Sequence, residues 1–418
     1  MQYRIDKKSG EKLSALGLGC MRFPRTLGVI DMRKTEELIM RAIEGGINYF
    51  DTAWFYPGSE ETLGAILEKN KARERINITT KLPLVFLKNA ADFDKVFDKQ
   101  LARLRTGHID YYLMHAMSDM TQWNELKSWG LLEWLAGKKK SGQIRRIGFS
   151  FHGRKEDFFN IVDDYDWELC MIQYNYYDEN YQAGAAGLKK AAEKMPVVVM
   201  EPLLGGKLAS GLPKEAVELF QTANTTANAT ANAAATPAGW ALNWLWNQTE
   251  VTQVLSGMSD LKQLEENLAL ADAARPGMLS DDDHAVYKGA LEIITSSYKV
   301  RCTGCDYCMP CPKGVNIPGC FASYNTSFSM GYTLGMKLFV HSTGGTAERP
   351  GSPGRCINCG KCEPLCPQSI PIMAELEKVR RRMEPLWFRF LMYCAALFLR
   401  RGKRGSKEPG SVEPPTVR

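Results

Sequence analysis

The first 280 residues predict an α/β fold, a (β/α)8 TIM barrel of parallel strands, with a small cysteine-rich α+β domain behind it. Three observations carry this prediction. Short apolar runs of strand character recur roughly every 30 residues, the length of one strand-plus-helix unit. The segments between them repeat apolar residues at helical spacing, as in Thr35–Glu44 and Leu261–Ala271. Nine of the twelve cysteines then fall between residues 302 and 366, eight of them in two regularly spaced runs. A doubly wound open sheet is the alternative for the first part, but eight alternating units favour the closed barrel.

In chain order, Tyr3–Leu13 turns at Lys8-Ser9-Gly10 and reads as a hairpin ahead of the barrel. Barrel strands are expected at Leu16–Met21, Ile47–Phe50, Ile76–Thr80, Ile109–Met114, Ile144–Phe149, Cys170–Tyr174, Val197–Met200 and Thr252–Ser256. The stretch Ala223–Thr236 is nearly all Ala, Asn and Thr, which cannot build a core. It reads as a flexible surface loop before a helix at Pro237–Asn247. The expected domains are the barrel over 1–280, a connecting helix over 281–300, the cysteine domain over 301–375 and a basic, partly apolar tail over 376–418.

A hydrophobic fraction of 44% and a charged fraction of 24% are those of an ordinary globular chain. Met1-Gln2-Tyr3-Arg4 opens without an apolar signal segment, and cysteines kept as ligands point to a reducing compartment. The expectation is therefore a cytoplasmic protein. The net charge of +6 is uneven: residues 376–418 hold eleven Lys/Arg against four Asp/Glu, so the remainder is close to neutral. With no aromatic-basic motif elsewhere, nucleic-acid binding is not expected.

The cysteines form two runs, Cys302-x2-Cys305-x2-Cys308-x2-Cys311-Pro312 and Cys356-x2-Cys359-x2-Cys362-x3-Cys366-Pro367. A cubane cluster needs four thiolates converging from several directions. A C-x2-C-x2-C turn wraps three of them, and the cysteine before proline crosses to the other cluster in two-cluster ferredoxins. The second run has that bacterial spacing in full; the first is one residue shorter before Cys311. Zinc also uses paired C-x2-C motifs, but four cysteines ending in proline, twice over, are hard to read as zinc ribbons. The domain is expected to resemble a bacterial ferredoxin holding two [4Fe-4S] clusters. Strand-like pieces beside each run (Val315–Pro318, Tyr324-Asn325, Ile370–Ile372) and a roughly helical Met330–Val340 fit that expectation. Cys20, Cys170, Cys320 and Cys394 lie outside the spacing and read as small packed hydrophobes.

Active sites of (β/α)8 barrels collect at the C-terminal ends of the strands. Asp51 ends the second strand with Tyr56 in the following loop, Lys81 ends the third and His115 the fourth. An ammonium beside a tyrosine stabilises its phenolate and lowers its pKa, a carboxylate fixes the ammonium, and a histidine orients a carbonyl oxygen. That set suits hydride transfer to C=O with proton delivery by Tyr56.

At these residues the chain resembles the aldo-keto reductases, from about Leu16 to Ala271. The matching signatures are Leu16-Gly17-Leu18-Gly19-Cys20-Met21-Arg22, Phe50-Asp51-Thr52-Ala53 through Tyr56, Lys81, and Leu113-Met114-His115. With the cysteine domain appended, the whole is similar to the ferredoxin-containing branch of that superfamily. The resemblance implies NADP(H) or NAD(H) held over the rim. It places Ser150 and Gln173 at the nicotinamide carboxamide, Ser256, Gly257 and Ser259 along the phosphates, and Glu266 and Asn267 near adenine. Three positions depart from the family pattern. Phe151 follows Ser150 where Asn is usual, Met200 stands where an aromatic residue stacks, and Gly257 and Gln263 replace basic residues.

Leu386–Leu399 is apolar except for Arg389, and too short to span a bilayer. Three readings stand open: a docked helix, a helix lying on an anionic membrane surface at the inner face, or contact with an acidic partner. For the whole chain the leading reading is an iron–sulfur oxidoreductase acting on a small carbonyl or alcohol, with a ferredoxin or other redox protein as partner. The alternatives are a nucleotide-sensing electron-transfer adapter without turnover in the barrel, and clusters that only brace the C-terminal region.

Overall fold

The computed structural model describes residues 1–153, 155–225, 236–302, 304, 307–344, 351–366 and 368–390. The chain divides into two compact units, Met1–Leu291 and Glu292–Arg418. In the first, eight parallel strands close into a barrel: Leu16–Gly19, Tyr49–Asp51, Asn77–Leu82, Ile109–Met117, Ile144–Phe151, Leu169–Gln173, Val197–Met200 and Gln253–Ser256. Each expected strand is present, with its ends within three residues of those expected. The eighth strand closes on the first through the pairs Val254–Leu16 and Ser256–Leu18.

The sequence dictates the helices locally. The Asp31 side chain accepts from the Lys34 N–H and starts Met32–Glu44, which buries Leu38, Ile39, Ala42 and Ile43 on one stripe. Thr236 caps Pro237–Trp246 in the same way, with Pro237 in the first turn. The helix Lys214–Thr225 takes in the first residues of the Ala/Asn/Thr stretch. The flexible loop expected for the rest, 226–235, lies outside the described residues. A helix occupies Asp281–Thr295 of the expected connector.

The N-terminal hairpin, Tyr3–Ile5 with Lys12–Ser14, seals the lower end of the barrel. Its Leu13 packs with Tyr49, Tyr111, Leu113, Leu169 and Val198 in one interior cluster. Burial of such a leucine contributes roughly 1.5–3 kcal/mol, and truncation to alanine would cost about 2–5 kcal/mol. Below this layer Asp6 accepts from the Tyr111 hydroxyl at 3.1 Å, and Arg146 pairs with Glu11 at 3.0 Å. With the lower end closed, the opposite rim is the one open to chemistry. A short hairpin that sequence patterning missed, Arg25–Thr26 with Val29–Ile30, stands there after the first strand.

The second unit corrects one expectation. Among its described residues there is no strand; helices span Ile317–Ser329, Tyr332–Thr343 and Ile372–Met383. Val315–Pro318 and Tyr324-Asn325 looked strand-like because both are apolar and short. Ile317, Phe321 and Tyr324 instead repeat at helical spacing and are buried together. Asn316 caps the helix by accepting from the Gly319 N–H, with Pro318 in the first turn. Asn325, 2% exposed, ties the preceding segment down by accepting from the N–H groups of Lys299 and Val300, both at 3.0 Å. Phe388 joins the same core, whereas Leu386, Trp387 and Phe390 are exposed. The remainder of the expected apolar helix, 391–399, and the tail after it lie outside the described residues. No helix among the described residues is long and apolar enough to cross a membrane.

Candidate functional site

Strand alternation brings the expected rim residues together. Asp51 pairs with Thr79, so Lys81, two residues on, faces the interior with it. Lys81 pairs with Leu113, which lines the interior, so His115 falls on the same face. Lys81 Nζ donates to Asp51 Oδ1 at 2.7 Å, Oδ2 at 2.8 Å and the Thr52 carbonyl at 2.8 Å. Its three protons are thereby satisfied. Nζ also stands 5.2 Å from the Tyr56 ring centroid. The loop carrying Tyr56 is pinned by the Thr52–Ser59 hydroxyl contact at 2.8 Å and by Ser59 donating to the Cys20 carbonyl at 2.9 Å.

Burial pulls the Lys81 ammonium down, but Asp51 and Tyr56 more than offset it, so Lys81 holds its proton above the ordinary lysine value. Burial likewise pushes Asp51 up against the pull of Lys81. For Tyr56 a lowered pKa was expected from the neighbouring ammonium. Lys81 does pull it down, yet burial and Asp51 push harder, and the hydroxyl ends above its ordinary value. Tyr56 is a protonated donor at neutral pH. His115 is driven down to about 3 by burial, by Lys81 and by His152, so its imidazole is neutral. Its Nδ1 is buried without a hydrogen-bond partner. The His115 ring lies 6.4 Å from that of Tyr56 and 5.2 Å from that of Phe55.

Ser150 and Gln173 are buried at the same rim. The Ser150 hydroxyl accepts from the Ala116 N–H at 2.8 Å. Ala116 has φ +56° and sits in an irregularity of the fourth strand between Met114 and Met117. Ser150 therefore stabilises the bulge that presents His115. Gln173 Nε2 donates to Asp178 at 3.1 Å, leaving its Oε1 uncommitted among the described residues. Burial and Glu201 push that Asp178 carboxyl up to about 7. Further round, Asn267 donates to Ser256 at 3.1 Å, Ser259 leans on Gln263, and Glu266 is exposed near Lys262. An uncommitted amide oxygen fits a carboxamide N–H; the Ser150 hydroxyl is already held by backbone.

Sequence reasoning missed the support behind Lys81. Gln100 Nε2 donates to the Lys81 carbonyl at 3.1 Å and to Glu60 at 2.8 Å. Thr80 donates to Glu60 at 2.6 Å, and Tyr112 donates to Gln100 Oε1 at 2.8 Å. The available signal was Gln100 and Glu60 on otherwise apolar helix faces, where a polar group stays only if bonded.

In the second unit, Cys308, Cys311, Cys356, Cys359 and Cys362 line one cavity of about 240 Å³ walled by Met309, Ile317, Ile357 and Leu376. Cys302 and Cys366 pack against the same core, and Cys305 and Pro367 lie outside the described residues. Burial and the neighbours Glu363, Cys356 and Cys359 push the Cys362 thiol up. Thiolates crowded in this way repel one another unless a cationic centre joins them, which the thiol-rich wall fits. Among the described residues no three Cys, His, Asp or Glu side chains form a group suited to a single metal ion. Cys20, Cys170 and Cys320 are buried with raised thiol pKa values, as packed bystanders should be; Cys394 lies outside the described residues.

The aldo/keto reductase family profile matches residues 15–288, and a 4Fe-4S dicluster domain profile matches residues 301–372. An L-glyceraldehyde 3-phosphate reductase of Escherichia coli is 27% identical over 238 residues, covering 52% of this chain and 66% of that protein. An L-galactose dehydrogenase of Arabidopsis thaliana is 26% identical over 287 residues, covering 64% and 88%. The solved aldo-keto reductase AKR11C1 of Bacillus halodurans, in its holo form, shares the barrel fold with a TM-score of 0.56. It is 23% identical and covers 69% of this chain and 96% of that one. The chain belongs to the aldo/keto reductase family of oxidoreductases, and carries a 4Fe-4S ferredoxin-like domain that follows the barrel in the sequence.

Proposed function

We propose that this protein is an iron–sulfur oxidoreductase that reduces a small carbonyl, or oxidises the matching alcohol, at Tyr56, Lys81, Asp51 and His115. The observation that carries the reading is the buried Asp51–Lys81 pair beside a protonated Tyr56, next to an unpartnered His115 Nδ1. A bound nicotinamide nucleotide supplies a hydride, and iron–sulfur clusters take or give electrons singly. Tyr56 gives its proton to the carbonyl oxygen as carbon is reduced, so the product is neutral. Lys81 faces the phenolate left behind and stabilises it, and Asp51 keeps Lys81 charged and in place. Neutral His115 orients the carbonyl oxygen. Ser150 holds the strand bulge that presents His115, and Gln173 Oε1 is the acceptor for a carboxamide.

Two [4Fe-4S] clusters are assigned to the eight motif cysteines. Cys356, Cys359 and Cys362 would join Cys311 in one set, and Cys302, Cys305 and Cys308 would join Cys366 in the other. The support is the crossover spacing before proline, together with a cavity that gathers the first four of these side chains. The test is an anaerobic assay of the reconstituted chain against a panel of aldehydes, ketones and alcohols, with NADPH, NADH or a reduced ferredoxin as donor. Turnover with any donor supports the enzyme reading. Electron exchange with ferredoxin but no substrate conversion would replace it with an electron-transfer adapter.

A further inference from the structure

The cysteine cavity of the second unit is open on one side. Asn358 and Gly360 have φ of +54° and +73°, so the chain bends sharply on both sides of Cys359. Cys359 is the one exposed cysteine among the described residues, while Cys356 and Cys362 are partly buried. Apolar side chains edge the same opening. Ile357 is 59% exposed, Leu365 is 54% exposed and Pro310 is exposed as well. All three line the cavity, so they form one patch and not scattered surface residues. Bases surround it. Lys313 and Lys361 line the cavity and are exposed. Arg355 Nε donates to the Lys313 carbonyl at 2.9 Å, which sets its guanidinium against the Lys313 backbone. Among the described residues none of these three cations has an acidic partner. The neighbouring acid, Glu363, is turned to the first turn of the helix Ile372–Met383, where it accepts from the Met373 N–H at 2.9 Å.

An apolar centre with a basic rim takes an acidic partner that is itself partly apolar. The exposed thiol narrows the choice. Electron tunnelling falls steeply with distance, and Cys359 is the described cysteine that reaches the surface. An anionic lipid surface would match the charge but has no use for that thiol. The chain's own tail is opposed by charge, since residues 376–418 hold eleven Lys/Arg against four Asp/Glu. We propose that the mouth of this cavity, with Ile357 and Leu365 at its centre and Lys313, Lys361 and Arg355 around it, is the docking surface for a small acidic protein that carries single electrons. Each encounter moves one electron between the carrier's redox centre and the cluster that Cys359 would hold. One side is oxidised as the other is reduced, and no bond or proton moves. This rests on reading the motif cysteines as cluster ligands.

The test measures binding of an acidic flavodoxin to the reconstituted full chain by calorimetry without oxygen, with iron and labile sulfide counted in each sample. Flavodoxin contains no iron, so the count belongs to this chain. The wild type should bind at about 20 mM salt and weaken roughly tenfold or more by about 200 mM, because exposed charges are screened. Lys313→Glu with Lys361→Glu should weaken binding by roughly 10- to 100-fold at the lower salt, and Lys313→Gln with Lys361→Gln by less. Equal iron content in these variants separates lost docking from lost clusters. Lys99→Glu with Lys140→Glu makes the same change of net charge at exposed barrel positions and should leave the affinity unchanged. Equal losses in the two glutamate pairs would overturn the surface in favour of overall charge. Phosphatidylglycerol vesicles that bind the wild type but not Lys313→Glu with Lys361→Glu, while flavodoxin binds neither, would overturn it in favour of a membrane. No flavodoxin binding by a chain with its full complement of iron would overturn the docking surface and leave the clusters in place. Absence of iron and sulfide would overturn both.

Discussion

Replacing Lys81 by methionine keeps the length of the side chain and removes its charge. Lys81 and Asp51 are 2% and 3% exposed and joined at 2.7 and 2.8 Å, so the substitution leaves a carboxylate buried without its cation. Breaking a buried pair from one side costs about 3–5 kcal/mol. For a unit spanning Met1–Leu291 that is a fall in melting temperature of roughly 5–8 °C. The cost should depend on pH. Burial already raises the folded pKa of Asp51, and removing Lys81 raises it further. A carboxyl with a raised folded pKa supports folding below its unfolded value, about 3.9, and loses that support as pH rises through the folded value. The gap between wild type and Lys81→Met is therefore smallest near pH 4 and widens toward pH 8, by at most about 1.4 kcal/mol per pH unit. Denaturant unfolding of the full chain, followed by tryptophan fluorescence at pH 5 and pH 8, measures it. A variant as stable as wild type at pH 8, or a gap that narrows with rising pH, would refute the buried ion pair.

The His115 imidazole is depressed from 6.5 to about 3, so the stability it contributes is present above pH 6.5 and lost as pH falls toward 3. His115→Asn should accordingly lose less melting temperature than wild type between pH 6.5 and pH 4, which a thermal scan across that range checks. Anaerobic reconstitution should yield about eight irons and eight labile sulfides per chain, as two cubanes carry four of each. A firm value near four would show that the first cysteine run, with its shortened spacing, builds no site. NADPH alone, without oxygen, should leave the cluster absorption unbleached while dithionite bleaches it. A hydride carries two electrons, each cluster takes one, and the sequence shows no flavin-binding motif to divide the pair.

The barrel was legible because its signals are local. Each strand is an apolar run of its own, and Asp51, Lys81 and His115 announce themselves as polar residues where such a run ends. Tyr56 could be named but its proton affinity could not, because burial set against the charge of Lys81 has no trace in the linear chain. Ser150 illustrates a second limit. Its hydroxyl is taken by the Ala116 N–H at a bulge, and neither the bulge nor the positive φ of Ala116 is marked by a glycine. Gln173 is likewise drawn to Asp178 by the path of the loop after the sixth strand. In the cysteine unit the ligand spacing was plain, whereas Ile317–Ser329 was misread. Its buried Ser323, Asn325 and Thr326 interrupt the apolar stripe that normally marks a helix.

The most direct test of the central claim is the rate of carbonyl reduction by the reconstituted chain and by Tyr56→Phe under the same anaerobic conditions. The ring stays and only the proton donor goes, so nucleotide affinity and cluster content should be unchanged. Turnover should fall by roughly 10²–10⁴-fold, the usual worth of a positioned acid. Unchanged turnover in Tyr56→Phe would contradict the account and place the chemistry elsewhere in the chain.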